Sequence, residues 1–436
     1  MNSNLPLSGI RVVEFTHIVM GPACGLVLAD LGAEVIKVEP TPDGDRTRRL
    51  VGTGAGMWAC FNRNKKSFAA DLKSSEGLAA VKKLLATADV VVENFRPGAM
   101  EKLGLGYEDV KRLRADLVYC SLKGFLSGPN EERPALDEVV QMNGGLAYMT
   151  GPQGRPLRAG ASVNDIMGGM FGAIAILAAL RERTRTGCGQ HVRSALFENN
   201  LFLVGQHMLQ YAVTGVAPSP MPNRTSAWAI YDVFDTADGD KVFIAVVSDA
   251  QWRSFCDAFG LSALAADTEL ATNNQRVLAR ERLFPLVAGE LRARTRAEVV
   301  ALCERARLPH GLIRKPWELF EDPHVRASDG LTDVTLADGR KVGTPKLPFE
   351  MGGRRFGARL DLPAAGGHTL ALLAELGYEG GEVHRLMESG AVSGPSSVEV
   401  GKTGYNGPVH AYPRHASLHA PDGNRELDHL AATRDQ

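Results

Sequence analysis

Little in this sequence leans toward one sign of charge. Its 49 lysines and arginines stand against 50 aspartates and glutamates, a formal balance of −1 over 436 residues. A chain so balanced presents no electrostatic footprint for nucleic acid and no basic patch for an anionic membrane. Cysteine is sparse, at 24, 60, 120, 188, 256 and 303, with no C-x-x-C pair, and no histidine cluster falls at metal-ligand spacing. These thiols read as scattered and reduced, in a cytoplasmic protein without a metal. The opening MNSNLPLSGIRVVEF has neither the basic head nor the apolar stretch of a signal peptide. No apolar run is long: the longest, Ile166 to Leu180, has 15 residues and stops at Arg181. Crossing a bilayer takes about 20, so a buried core helix is expected there and no membrane span.

What is present is an early rhythm of short β-rich runs. IRVVEF from 10, AEVIKVE from 33, DVVVENF from 89 and LVYCSLKG from 117 are separated by helical patterns such as SSEGLAAVKKLLATA from 74. Strands alternating with helices predict a parallel sheet covered on both faces, a doubly wound α/β domain. At this length two domains are expected. Pro, Gly and Ser in GVAPSPMPNRTSA mark a linker, and IYDVFDTADGDKVFIAVV beyond it reads as a hairpin around an Asp-Gly turn. A second hairpin, VTLADGRKV from 334, precedes the helical HTLALLAELGY. The expected organisation is a large α/β domain over 1–214, a linker over 215–228 and a smaller α+β domain over 229–330. Residues 331–392 then return to the large domain, and 393–436 lack periodicity and read as a disordered or loosely attached tail.

Two stretches invite chemistry. The glycines of GTGAGM, 52 to 57, follow no predicted strand and lack the G-x-G-x-x-G spacing. The sheet is therefore Rossmann-like without a dinucleotide fingerprint, and no permanently bound cofactor is expected. The second stretch is NDIMGGMFGAIAILAAL, where Asp165 heads an otherwise uncharged run. Asp is a preferred N-cap, and capping alone would account for it. Yet Gly160, Gly168, Gly169 and Gly172 strip bulk from its surroundings. Glycine inside a helix costs about 0.5 to 1 kcal/mol relative to alanine, so these want a reason, either close helix packing or room for a substrate. With an ordinary carboxylate pKa near 3.9, Asp165 would be ionised at neutral pH and able to attack an activated acyl carbon.

Longer motifs narrow this. LSGIRVVEFTHIVMGPACGLVLADLGAEVIKVEP, NRNKKSFAADLKSSEG, VVENFRPGAMEKLGLGYEDV, SLKGFLSGPNEERPALDEVVQMNGG and RAGASVNDIMGGMFGAIAILAALRERTRTGCGQHV, in this order, resemble the class III CoA-transferases, the family that includes formyl-CoA transferase. The resemblance implies transfer of coenzyme A from an acyl-CoA donor to a free carboxylic acid, with Asp165 as the nucleophile. It places CoA contacts at Ile18, Val19, Leu72, Lys73, Asn94, Phe95, Arg96 and Lys102, with Arg46 and Arg48 as further candidates for a phosphate. Asp137 matches an acidic position near the site, able to orient substrate, tune Asp165 or cap the helix that follows it. His17 is expected to pack beside the cofactor turn. A related activity, α-methylacyl-CoA racemisation, uses a histidine directly before the residue matching Asp137; here that residue is Leu136, which cannot move a proton. A CoA-binding relative without turnover is the other alternative. The glycine run that closes over the site in formyl-CoA transferase has VVSDAQW, 246 to 252, in its place. A larger acceptor is therefore expected, a C4 or C5 dicarboxylate. The family's interlocked-ring homodimer is implied as well.

Overall fold

Four of the early β-rich runs form strands in the computed structural model, which describes residues 5–224 and 226–395. They are β1 (Arg11–Phe15), β2 (Glu34–Glu39), β4 (Val90–Glu93) and β5 (Val118–Lys123), joined by β3 (Lys65–Ala70) and β6 (His191–Ala195). The spatial order is β3-β2-β1-β4-β5-β6, all parallel, with Val392–Ser393 added antiparallel outside β3. Ser393 thus belongs to the sheet rather than to the tail expected from 393. The remainder of that expected tail, from residue 396, lies outside the described residues.

Apolar side chains alternate along the strands and build a core on each face. Val13, Phe15, Ile36, Val91 and Tyr119 enter one, beneath helix Ser75–Leu85. Val12, Val35, Val90, Val118 and Cys120 enter the other, beneath α1 (Met20–Asp30) and the helix Val163–Thr186. The Ser75–Leu85 helix is cut to length by its ends: Ser74 accepts from Gly77 N, and Lys82 and Lys83 lie in the last turn, where the dipole favours cations. Strands β3 and β6 escaped the sequence pattern because KKSFAA and HVRSA carry charge. Lys65 is nonetheless fully buried, 2.8 Å from Glu14.

The hairpin from 230 forms as read, with β7 (Ile230–Asp235) antiparallel to β8 (Lys241–Val246), and β8 pairs in turn with β9 (His310–Leu312). This sheet and the helices Asp249–Phe259, Arg280–Arg292 and Arg296–Arg305 enclose a third core, running from Ala229 to Leu308. The second hairpin forms from Leu331–Thr335 and Lys341–Pro345.

The Val163–Thr186 helix is long and apolar enough to cross a membrane by length and composition. Only one face of it is buried, through Gly168, Gly169, Gly172, Ala173, Ile176, Ala179 and Leu180. Met170, Phe171 and Ile174 remain exposed, so the expectation of a buried core helix holds for half its circumference.

Candidate active site

A doubly wound sheet opens a crevice where its strand order reverses, outside the carboxyl ends of the two strands that diverge. Here these are β1 and β4, with Phe15 opposite Glu93 in register. The segments leaving them are His17–Val19 and Asn94–Arg96, both named from the sequence, and the fold brings them together. Asn94 ties them: its Oδ1 accepts from His17 N at 3.0 Å and its Nδ2 donates to His17 O at 3.0 Å. The amide assigned to CoA is thus spent on the turn itself. Phe95 lies 5.8 Å from the His17 ring, and Lys123 donates 2.8 Å bonds to both Phe95 O and Glu93. Burial holds the His17 imidazole below its ordinary pKa.

The expected cations divide into two groups. Lys73, Arg96 and Lys102 are exposed after β3 and β4, and Leu72 packs against the core beside Lys73. Lys73 and Leu72 stand two strands from β1. Arg48, a candidate for a phosphate, is committed elsewhere. Its guanidinium forks onto Glu39 at 2.9 and 2.6 Å, donates to Pro363 O and stacks on Trp58. Arg46 is exposed.

Asp165 does not cap its helix. That helix, α2 (Val163–Thr186), has Ser162 at its N-cap, without a side-chain bond, and Asp165 is its third residue. The cap comes from another helix. Asp137, at the start of Asp137–Asn143, accepts from Asn164 N at 2.8 Å and Asp165 N at 3.1 Å through one oxygen. Its other oxygen accepts from Gln141, whose carbonyl takes Ala159 N at 2.7 Å. An anion at the positive end of α2 satisfies two amides that otherwise lack partners. Asp137 therefore caps, as one reading had it, but caps α2 rather than its own helix.

With the amides taken, the Asp165 carboxyl has no hydrogen-bond donor among the described residues. Burial, then the charges of Asp137 and Glu138, raise its pKa to about 7, against the pull of Arg158. The ordinary pKa expected from the sequence is overturned, because desolvation and like charge both penalise the anion. The glycines below it are explained by packing. A Cβ on Gly168 would meet Met20 Cε at 2.4 Å, one on Gly169 would meet Met20 O at 2.5 Å, and one on Gly172 Leu122 Cδ2 at 2.7 Å. Gly168 and Gly169 lie three and four residues after Asp165, on its face of α2. They bring the start of α1, and with it the His17–Val19 turn, against that face. Gly160 faces open space.

A family model described as CoA-transferase family III matches residues 7–369. The chain belongs to CoA-transferase family III. Among curated relatives of this CoA-transferase is the succinate–glutarate CoA-transferase of Agrobacterium fabrum, 36% identical over 387 residues, covering 86% of this chain and 96% of the relative. The succinyl-CoA:glutarate CoA-transferase of Mus musculus is 31% identical, covering 90% and 91%. A crystal structure of a CAIB/BAIF family protein from Brucella suis superposes with a TM-score of 0.75 at 35% identity, covering 86% of this chain and all of that one. The substrates of a CoA-transferase are CoA thioesters and carboxylic acids.

Sequence reading of this CoA-transferase missed Gln141 and Thr47. Gln141 had a signal, since it follows Asp137 by four residues and so shares its helix face. Thr47 had none: its hydroxyl receives Ile18 N at 3.0 Å across 29 residues of chain.

Proposed function

We propose that this protein moves CoA between C4–C5 dicarboxylates through covalent intermediates on Asp165. The observation that carries the reading is the carboxyl of Asp165, partly exposed, without a donor among the described residues, and raised to about 7. A carboxylate without hydrogen-bond donors and shielded from part of its solvent is a stronger nucleophile than a fully solvated one. In the first step it attacks the thioester carbonyl, the C–S bond breaks, and CoA thiolate leaves behind a mixed anhydride. Thiolate then attacks the aspartyl carbonyl, releasing the donor acid as its carboxylate and forming an aspartyl-CoA thioester. The acceptor carboxylate and the thiolate repeat the two steps in reverse. Once Asp165 is ionised, every nucleophile and every leaving group is an anion, so no further proton has to move.

That balance separates transfer from racemisation, which needs acid and base on both sides of a carbon. Leu136, exposed beside Asp137, supplies neither. The acceptor class is supported by the names of the relatives, which act on succinate and glutarate. The test is a mass-spectrometric screen of succinyl-CoA against glutarate, mesaconate, itaconate, formate and oxalate, with hydroxylamine added to trap the acyl-enzyme. Exchange onto the C4–C5 acids and a hydroxamate at Asp165 are expected. Turnover with an unmodified Asp165 would remove the mechanism, and preference for formate or oxalate the substrate class.

The separate core over 229–308 supports treating 229–330 as a small domain, with 215–228 and the stretch from 331 as its connections. A homodimer is supported by the apolar surface on α2 and on α3 (Leu196–Thr214). Phe202 is 73% exposed and Val213 83%, beside exposed Leu209 and Tyr211, and Phe171 meets Phe202 edge to face. A contiguous apolar face of this kind is rare on a monomer. Phe202→Lys with Val213→Lys is expected to convert a dimer to monomer or unfolded chain in sedimentation velocity. An unchanged sedimentation coefficient would place the interface elsewhere.

A further inference from the structure

Ile18 has φ of +64°, a left-handed backbone that a β-branched residue rarely adopts. Such conformations persist only where the surroundings over-determine them, and they gather at ligand clamps. The turn around Ile18 is over-determined by side chains. Thr16 O accepts from the buried Lys37 ammonium. Both backbone polar groups of His17 are held by Asn94. The Ile18 N–H donates to Thr47 Oγ1 at 3.0 Å, and that hydroxyl in turn donates to Asp45 Oδ1 at 2.8 Å.

Thr47 is itself fixed from beneath. Its own N–H donates to Asp45 Oδ1 at 2.9 Å, Asp45 N donates to Glu39 at 2.7 Å, and Lys37 Nζ lies 3.0 Å from Asp45 Oδ2. Lys37 is also 3.8 Å from Glu14, which pairs with Lys65 at 2.8 Å. Burial alone would raise the Asp45 carboxyl, but Lys37 and the Thr47 donors outweigh it and hold it below the ordinary range, ionised. A row of charges buried under the sheet ends thus terminates in one hydroxyl, and that hydroxyl holds the strained residue. The Ile18 side chain is exposed at the crevice while Val19 is buried behind it.

We propose that Thr47 is a positioning residue for acyl-CoA: by holding Ile18 left-handed, it keeps the turn in the shape the thioester substrate meets beside Asp165. The inference rests on the reading that this turn contacts acyl-CoA. Without the Thr47 bond, Ile18 relaxes to an ordinary backbone for most of the time. Apparent affinity then falls by the fraction of molecules still in the competent shape, while the step at Asp165, carried on α2, keeps its rate once substrate is bound.

The test measures donor KM and kcat in the full-length chain with succinyl-CoA, for Thr47→Val, Thr47→Ser, Ile18→Gly and the double variant Ile18→Gly/Thr47→Val. Thr47→Val should raise KM about tenfold with kcat within twofold, and Thr47→Ser, which keeps the hydroxyl, should stay near the wild type. In the Ile18→Gly background, where a left-handed backbone is no strain, adding Thr47→Val should change KM less than twofold. An equal effect of Thr47→Val in the wild-type and Ile18→Gly backgrounds, or a Thr47→Val protein with unchanged KM, would overturn the proposal. Should Thr47→Val fail to fold alone, folding of the double variant supports the coupling, and its failure refutes it. The parent reading fails separately, in a wild type that exchanges no acyl-CoA.

Discussion

Asp165→Asn is expected to abolish transfer and, at pH 8, to leave the protein more stable than the wild type. Asparagine keeps the shape but supplies no anion, so attack on the thioester stops. The stability effect follows from linkage. The folded-state pKa of Asp165 is raised to about 7 from an ordinary 3.8, so the fold prefers the neutral acid. That preference costs nothing below the unfolded pKa, grows as pH rises between the two values, and is complete above about 7. At one pKa unit per 1.36 kcal/mol the full penalty is at most about 4 kcal/mol, reduced because the group is partly exposed. Urea midpoints of wild type and Asp165→Asn, at one protein concentration, should therefore coincide near pH 4 and separate by pH 8 in favour of asparagine. Acylation of the wild type in a single turnover should rise with pH, with a midpoint near 7. Midpoints that separate equally at both pH values would show that Asp165 has an ordinary pKa, and its isolation from donors would lose its catalytic meaning.

Gly169→Ala should lower urea stability by about 2 kcal/mol and cut kcat/KM more than tenfold. In an open helix the same change adds about 0.5 to 1 kcal/mol of stability. At Gly169, however, the new methyl would stand 2.5 Å from Met20 O and 2.9 Å from Cys24 N, both backbone atoms of α1 that cannot rotate away. Overpacking of this kind costs about 1 to 3 kcal/mol and is relieved only by moving a helix. The helix that moves carries the His17–Val19 turn at its start, so the loss of activity should exceed what the stability change explains. Gly289→Ala supplies the contrast, since it lies within Arg280–Arg292 with open space around it and should stabilise slightly. A Gly169→Ala protein as stable and active as Gly289→Ala would mean that α1 and α2 are not locked as described.

Much of this was legible from the chain. The apolar runs at 10, 33, 89 and 117 became strands because alternation on a two-sided sheet is a local property. The long motifs placed Asp165 and the segments His17–Val19 and Asn94–Arg96, and the sheet then set those two segments side by side at its reversal. Strand β3 was hidden because Lys65 reads as a surface charge, while Glu14 across the sheet makes it an interior one.

The residue order by itself determined the class of fold, the family and which carboxylate stands at the head of the uncharged run. Only the tertiary structure decided what state that carboxylate is in, what the glycines serve, and which side chains are already spent. Asp137 caps a helix 27 residues further on, Asn94 closes on His17 across 77, and Thr47 reaches Ile18 across 29. Periodicity is set by neighbours within a turn or two of chain. Desolvation, Coulomb repulsion and hydrogen-bond satisfaction are set by whatever the fold brings within a few ångströms, and the sequence does not order those distances.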